Sequence, residues 1–316
     1  MSIVVLGSIN LDMVVTTERM PAAGETISGH DFALVPGGKG ANQAVAAARL
    51  NGEEVVFAGM VGTDSFASIM RESLSASGVK TNHLVSSAGS SGVALITVDA
   101  AGQNSIVVVP GANAAVDRKF VEERRTLLEQ ASVLLLQLEI PVSSVEFAAE
   151  IAFAAGVNVV LDPAPVCPMS ATLLRNVTWL TPNFTEACQI LGRSTIAASQ
   201  MDIEGMLDGL MALGPRNVLL KLGEHGLAVA LGSGERFNIP AYNVTAVDTT
   251  AAGDALNGSF ATGLAQGMTP YEAASFASAV AAISVTRRGA QTSMPHREEV
   301  ESFLASKPAC SETLGR

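Results

Sequence analysis

The sequence predicts an α/β protein: a mostly parallel central sheet with helices on both faces, plus a small β-sheet lid. Three observations carry this expectation. Short apolar runs alternate with helix-length segments along most of the chain. Alanine and valine are spread throughout, as strands buried on both faces require. Two β-rich patches fall outside that rhythm and cannot easily join the middle of the same sheet.

In order, Ile3-Val4-Val5-Leu6-Gly7 is a short apolar run stopped by glycine and reads as a buried strand. From Asn10 to Val35, β-like pieces at Met13–Thr17, Thr26–Ser28 and Asp31–Val35 are broken by Pro21, Gly24 and Gly29. The second patch, Gly92–Val98 and Ser105–Val109, turns at Asp99–Gln103. Between the patches the reading is helix Ala41–Leu50, strand Val55–Met60 and helix Asp64–Ala76. After them come strand Val133–Gln137, helix Ser143–Ala155, strands Asn158–Asp162 and Thr178–Thr181, and helix Thr185–Leu191. The last third reads as helix Gln200–Leu213, strands Val218–Lys221 and Leu227–Leu231, a strand-like Val244–Val247, and helices Ala252–Gln266, Pro270–Thr286 and Arg297–Ser306. No linker or repeat divides the series. Residues 1–316 therefore read as one domain whose lid comes from roughly 10–36 and 92–110, with a loose tail beyond Lys307.

Composition excludes several functions. The net charge of −11, without a basic run to offset it, repels a phosphate polymer, so nucleic acid is not an expected partner. Cys167, Cys188 and Cys310 lack CxxC spacing and the four histidines lack an HxxxH pair, which leaves neither a disulfide framework nor a zinc site. There is no charged-then-apolar leader and no apolar run of about 18 residues. A soluble, cytoplasmic protein with no membrane partner is expected.

Three segments carry chemistry. Asp248-Thr249-Thr250-Ala251-Ala252-Gly253-Asp254 joins a strand-like run to a helix. Its small residues leave backbone amides open at a helix N-terminus, where an anion is favoured, with Asp254 in the first turn. Phosphoryl transfer needs such a cradle and a base beside it; a stabilising first-turn acid capped by Asp248 or Thr249 fits the same spacing. Pro36-Gly37-Gly38-Lys39-Gly40-Ala41-Asn42-Gln43 offers amides at another helix start, or is an ordinary glycine turn; it is not a Walker loop. Ser8-Ile9-Asn10-Leu11-Asp12 ends the first strand, where open parallel sheets bind ligands, and alternation places Asn10 and Asp12 on one face. An Asx turn with both groups solvated is the other reading. Glu139 and Asp162 likewise follow strands. Asn183 and Glu186, one turn apart, suit a hydrated magnesium ion near phosphates, although Thr185 as an N-cap explains much of that pattern.

Taken together these segments resemble the ribokinase, or PfkB, family of sugar kinases, from Ile3 to about Phe303. The family's two signature regions match Gly37–Asn42 and Asp248–Asp254 followed by Asn257-Gly258. Arg288-Gly289-Ala290-Gln291 matches as well. The resemblance implies a ribokinase-like fold, ATP with Mg²⁺ as phosphoryl donor, and D-ribose as acceptor at its 5-hydroxyl. It also implies Asp254 as catalytic base, with the amides of Ala251, Ala252 and Gly253 as anion hole. Asn10, Asp12, Gly38, Lys39, Asn42 and Glu139 would contact the sugar. Asn183 and Glu186 would lie near the phosphates and magnesium, and Lys221, Gly223 and Gly226 near the nucleotide. A monovalent cation, usually K⁺, is implied at Asp248, Thr250, Ser284, Arg287, Gly289 and Ser293, largely through backbone carbonyls. This chain departs from the family pattern with Ala251 where glycine is frequent, Lys221 where threonine is common, and Ser278 where a relative has an adenine-side histidine. The other acceptors the resemblance allows are 2-deoxyribose, fructose or a nucleoside such as adenosine. A non-catalytic sensor on the same fold is a different class of answer. The apolar lid residues Ile96, Ile106 and Val108 suggest that two lids pair in a homodimer.

Overall fold

The computed structural model describes residues 2–50, 52, 54–194 and 202–306. The chain forms strands β1 (Ser2–Leu6), β2 (Asn10–Thr17), β3 (Gly29–Gly37), β4 (Glu54–Val61), β5 (Lys80–Ser86), β6 (Gly92–Val98) and β7 (Asn104–Val109). These are followed by β8 (Val133–Leu136), β9 (Asn158–Leu161), β10 (Trp179–Leu180), β11 (Asn217–Lys221), β12 (Leu227–Leu231) and β13 (Arg236–Ile239). Nine of them make one sheet in the order β13-β12-β11-β10-β9-β8-β1-β4-β5, parallel from β5 to β11 and antiparallel at β12 and β13. The other four form a separate sheet, β3-β2-β6-β7, in which β2 and β6 run parallel.

The apolar runs of the large sheet follow from its two covered faces. Ile3 and Val5 of β1 point into one core, packed by the Lys39–Arg49, Ala252–Ala265 and Pro270–Ser284 helices. Val4 and Leu6 point into the other, packed by the Val142–Ala154 helix. All four residues of β8 are buried. On the first face the Ala252–Ala265 helix lies directly on the Lys39–Arg49 helix. A Cβ at Gly258 would come within 2.5 Å of the Gln43 carbonyl and 2.7 Å of the Ala46 side chain, so only glycine allows this approach. Trp179 of β10 packs edge-on against Phe260 of the same helix, with ring centroids 4.9 Å apart.

Several expected boundaries move. Thr26–Ser28 is irregular, and the strand begins at Gly29. Val244–Val247 is not a strand: the amides of Val247 and Asp248 donate to the carbonyl of Val285 at 2.7 and 3.1 Å, and no ladder forms. The expected helix Gln200–Leu213 is Ile203–Ala212; Gln200, like the tail beyond 306, lies outside the described residues. No helix among the described residues is long and apolar enough to cross a membrane.

Candidate active site

Five neighbouring parallel strands, β11-β10-β9-β8-β1, end at one edge of the sheet and deliver Lys221, Asn183, Asp162, Gln137 and Ser8 there. The two helix starts built of small residues close over the same edge. The Lys39–Arg49 helix begins at Gly38, whose φ of 90° belongs to the left-handed region, and a Cβ there would meet the Asn10 amide at 2.8 Å. This segment is therefore no ordinary surface turn. It threads against the junction of β1 and β2, with Ala41 donating its amide to the Ser8 carbonyl at 2.9 Å.

Asp254 stands in the first turn of the Ala252–Ala265 helix and is 5% exposed. Asn42 Nδ2 donates to its Oδ2 at 3.0 Å, and Gln43 Nε2 to its Oδ1 at 3.0 Å. Burial raises its pKa to about 6, against the lowering effects of the Lys39 charge and the two amide hydrogen bonds; the Asp162 carboxylate adds to the rise. Such a carboxylate is ionised at neutral pH yet close enough to it to take up a proton. Neither Asp248 nor Thr249 caps this helix. The N-cap is Ala251, with φ at 58°, the one non-glycine residue of positive φ among the described residues. Without a side-chain cap the first-turn amides remain open toward the cleft, although Ala252 N also reaches the Thr249 carbonyl at 3.2 Å.

Sequence reasoning named Gln43, Asp162 and Lys221 separately but did not link them to this carboxylate. Gln43 Nε2 also donates to Asp162 Oδ2 at 2.9 Å, and Lys221 Nζ donates to Asp162 Oδ1 at 2.9 Å. Gln137 Nε2 fixes the Gln43 amide by donating to its Oε1 at 2.6 Å. Asp162 follows a strand and Gln43 follows the glycine turn, but only tertiary structure brings them together. Lys39 is joined at the site by Lys221. Burial opposes the Lys39 charge, but Asp254, Asp162, Glu139 and Glu186 outweigh it and hold its pKa above the usual value.

A second cluster lies where β1 passes into β2. Glu139 accepts from Ser8 Oγ at 2.5 Å and from the Lys39 amide at 3.0 Å. The Asp12 carboxylate fills the space over Gly37, where a Cβ would meet its Oδ2 at 2.4 Å. Burial, and secondarily Glu139, raises the Asp12 pKa to about 7. Asn10 is held by Asn113, another residue the sequence reading passed over. Asn113 Nδ2 donates to Asn10 Oδ1 at 2.8 Å and to the Ile9 carbonyl at 3.1 Å, and its Oδ1 accepts from Ile9 N at 3.0 Å. With Asn10 Oδ1 engaged by Asn113, the NH₂ is the group Asn10 has left to offer, as a donor. Asn42 Oδ1 is buried without a partner among the described residues, as an acceptor awaiting a hydroxyl would be.

Lys39 and Asp254 also line a cleft of about 820 Å³, within the range of small-molecule sites. Asn183, Glu186, Lys221, Gly223 and Gly226 border it, and Tyr242, Val244 and Ser278 line it as well. Asn183 and Glu186 form a capping box: Asn183 N and Nδ2 donate to the carboxylate at 2.7 and 2.8 Å, and Glu186 N donates back at 2.8 Å. The N-cap is therefore Asn183, not Thr185, and the held Glu186 carboxylate keeps lone pairs for a hydrated cation. Beside the open helix start, Asp248 accepts from Thr250 N at 2.9 Å and Gly289 N at 2.8 Å, which ties the two loops together. Ser284 Oγ and Ser293 Oγ donate to the carbonyls of Ala281 and Ala290, and Arg287 turns to Glu299 at 2.5 Å. With the Asp248 carboxylate engaged, the oxygens left for a monovalent ion there are chiefly backbone carbonyls.

A buried carboxylate beside an open helix start, a polar cluster suited to hydroxyls and an adjoining cleft define a small-molecule kinase site. The family profile of pfkB carbohydrate kinases matches residues 1–297. The ribokinase of Haemophilus influenzae is 41% identical over 304 residues, covering 96% of this chain and 98% of that one. Among solved structures, ribokinase from Thermotoga maritima superposes with a TM-score of 0.86 at 36% identity, covering 96% of this chain and 99% of that one. Arabidopsis thaliana ribokinase complexed with ribose and ATP superposes at 0.89 and 34%, covering 96% and 98%. The chain belongs to the pfkB family of carbohydrate kinases.

Proposed function

We propose that this chain transfers the γ-phosphoryl group of ATP to the 5-hydroxyl of D-ribose. The observation that carries the reading is the Asp254 carboxylate, buried, held by Asn42 and Gln43, and set beside an uncapped helix start. The likeness to ribokinases over nearly the whole of both chains selects the sugar. Asn10, Asp12, Gly38, Asn42 and Glu139 hold the ribose hydroxyls: the Asn10 amide donates, while Asp12 and the free oxygen of Asn42 accept.

Asp254 takes the proton of the primary hydroxyl. The hydroxyl oxygen forms the new bond to the γ-phosphorus as the bond to the β,γ-bridging oxygen breaks, and ADP leaves with that electron pair. The amides of Ala251, Ala252 and Gly253, together with Lys39, face the charge that develops. Gly223 and Gly226 border the nucleotide. Asn183 and Glu186 would hold a hydrated Mg²⁺, which supplies charge neutralisation at the phosphates. Backbone oxygens near Asp248, Thr250, Ser284, Arg287, Gly289 and Ser293 would hold K⁺, steadying the helix start. We read the chain as one domain with the small sheet as a lid over the sugar, acting in the cytoplasm.

Phe32, Leu34, Leu95 and all of Ile106–Val109 are 40–58% exposed on the small sheet, an apolar surface that favours a homodimer. Ile96, expected among them, is only partly exposed. Sedimentation at assay concentration tests the pairing, and a monomer overturns it. A coupled ADP-release assay across ribose, 2-deoxyribose, fructose and adenosine, with and without K⁺, tests the activity. Release that no sugar stimulates would sink the kinase reading, and a clear preference for another acceptor would replace ribose.

A further inference from the structure

Lys221 is 9% exposed and Asp162 2%, and both line the cleft. A buried ion pair of this kind brings little net stability, because desolvation offsets most of the attraction, so its presence in a ligand cleft calls for another account. The ammonium has three hydrogens, and Asp162 Oδ1 takes one; among the described residues no other side chain accepts from it. Its Nζ lies 3.4 Å from the point a Cβ on Gly253 would occupy, which places it over the open start of the Ala252–Ala265 helix. Asp162 does not depend on this lysine alone, since Gln43 Nε2 still donates to its other oxygen. The ammonium is thus free to exchange one anion for another at small cost.

We propose that Lys221 is a catalytic residue: its ammonium turns from Asp162 to the γ-phosphoryl group of ATP and holds it over the amides at Gly253 during transfer. The proposal rests on the reading of the cleft as an ATP site. Lys221 keeps its three protons throughout, and only the acceptors change. A second cation has a clear use here. Lys39 already faces Asp254, Asp162, Glu139 and Glu186, so one lysine leaves the site negative where a phosphate must arrive. The side chain comes from the end of β11, which pairs through Lys221 with Asn183, so the cation is anchored to the sheet beside the capping box.

The test is calorimetric and needs no sugar. The full chain is titrated with the magnesium complexes of the β,γ-imido analogue of ATP and of ADP, as wild type, as Lys221→Met, and as Asp162→Asn combined with Lys221→Met. The double variant removes the carboxylate that the single change strands. Both variants are expected to lose at least about tenfold in affinity for the analogue, with ADP affinity changed less than about twofold. Their turnover with the acceptor found for the wild type falls by about 10² with little change in the acceptor's KM, as for loss of one charge-stabilising donor. An analogue-to-ADP ratio unchanged in the folded double variant means that Lys221 only neutralises Asp162, and the proposal fails. If the wild type binds neither nucleotide, the ATP reading fails and takes this proposal with it. If it binds both but phosphorylates no ribose, only the sugar assignment fails.

Discussion

Gln43 holds Asp254 from 211 positions away in the chain, its Nε2 donating to Oδ1 at 3.0 Å. The same nitrogen reaches Asp162, so one amide sets the spacing of two buried carboxylates. Removing that donor in Gln43→Leu takes away a contact that lowers the Asp254 pKa. The acid limb of kcat, expected near pH 6 in the parent, should move to higher pH. A limb that stays in place shows that another group controls the profile.

Asp254→Asn should reduce kcat by about 10²–10⁴, as for loss of a general base. It should also stabilise the fold at neutral pH. A carboxyl whose folded pKa is raised from 3.8 to about 6 stabilises the fold, relative to its ionised state, below the unfolded value and loses that contribution as pH rises through 6. Its ionised form therefore costs the native state up to about 3 kcal/mol at pH 7. Thermal melts at pH 7 should show a higher Tm for the variant, with the gap closing toward pH 4. Near-native turnover contradicts the assignment.

Asp12, raised to about 7 by burial and by Glu139, should make sugar binding depend on pH. As pH falls through 7 the carboxylate gains a proton and loses acceptor capacity, so KM for ribose should rise about tenfold between pH 8 and 6. Glu139→Gln removes one raising influence and should shift that rise to lower pH. A KM independent of pH in the parent argues against Asp12 as an acceptor for the sugar.

Asn113 is a positioning residue that orients Asn10. Asn113→Ala strands Asn10 Oδ1 and both backbone groups of Ile9, a cost of about 1–3 kcal/mol for each buried group left unpaired. KM for ribose should rise about tenfold while kcat stays within about threefold. Equal losses in kcat and in kcat/KM would instead place Asn113 in the transfer step.

Ala251 sits at φ 58°, a conformation that costs a branched side chain about 1–3 kcal/mol. Ala251→Val should lower Tm and kcat together, because it displaces the amides at the helix start. Ala251→Gly should be close to neutral, with relief of strain offset by the entropy of the unfolded glycine. A fully active Ala251→Val variant separates the helix start from the chemistry.

Much of this was legible because glycine and small residues mark close approaches locally. Gly38 before a helix and Ala251–Gly253 before another announced two helix starts open to a ligand. β5 and β13 were not legible: Lys80–Ser86 and Arg236–Ile239 are the sheet's edge strands, half exposed and polar in alternation, without the apolar run of a central strand. Val244–Val247 misled for the opposite reason, a β-branched run with no partner strand to pair with. The Gln43–Asp162–Lys221 relay and the Asn113–Asn10 clamp depend on side chains about 60 to 120 positions apart, and no local spacing encodes them.

The close approach of Gly258 to the Gln43 carbonyl also separates the parts of the site along the chain. β1 and β4 lie early in the sequence, and the cluster around Glu139 draws only on residues up to that position. Asp254 arrives far later in the chain, on a helix seated against the Lys39–Arg49 helix through bonds from Asn42 and Gln43 and through the close approach at Gly258. A chain ending before Gly258 is expected to lack the seated Asp254 carboxylate and so to show no phosphoryl transfer.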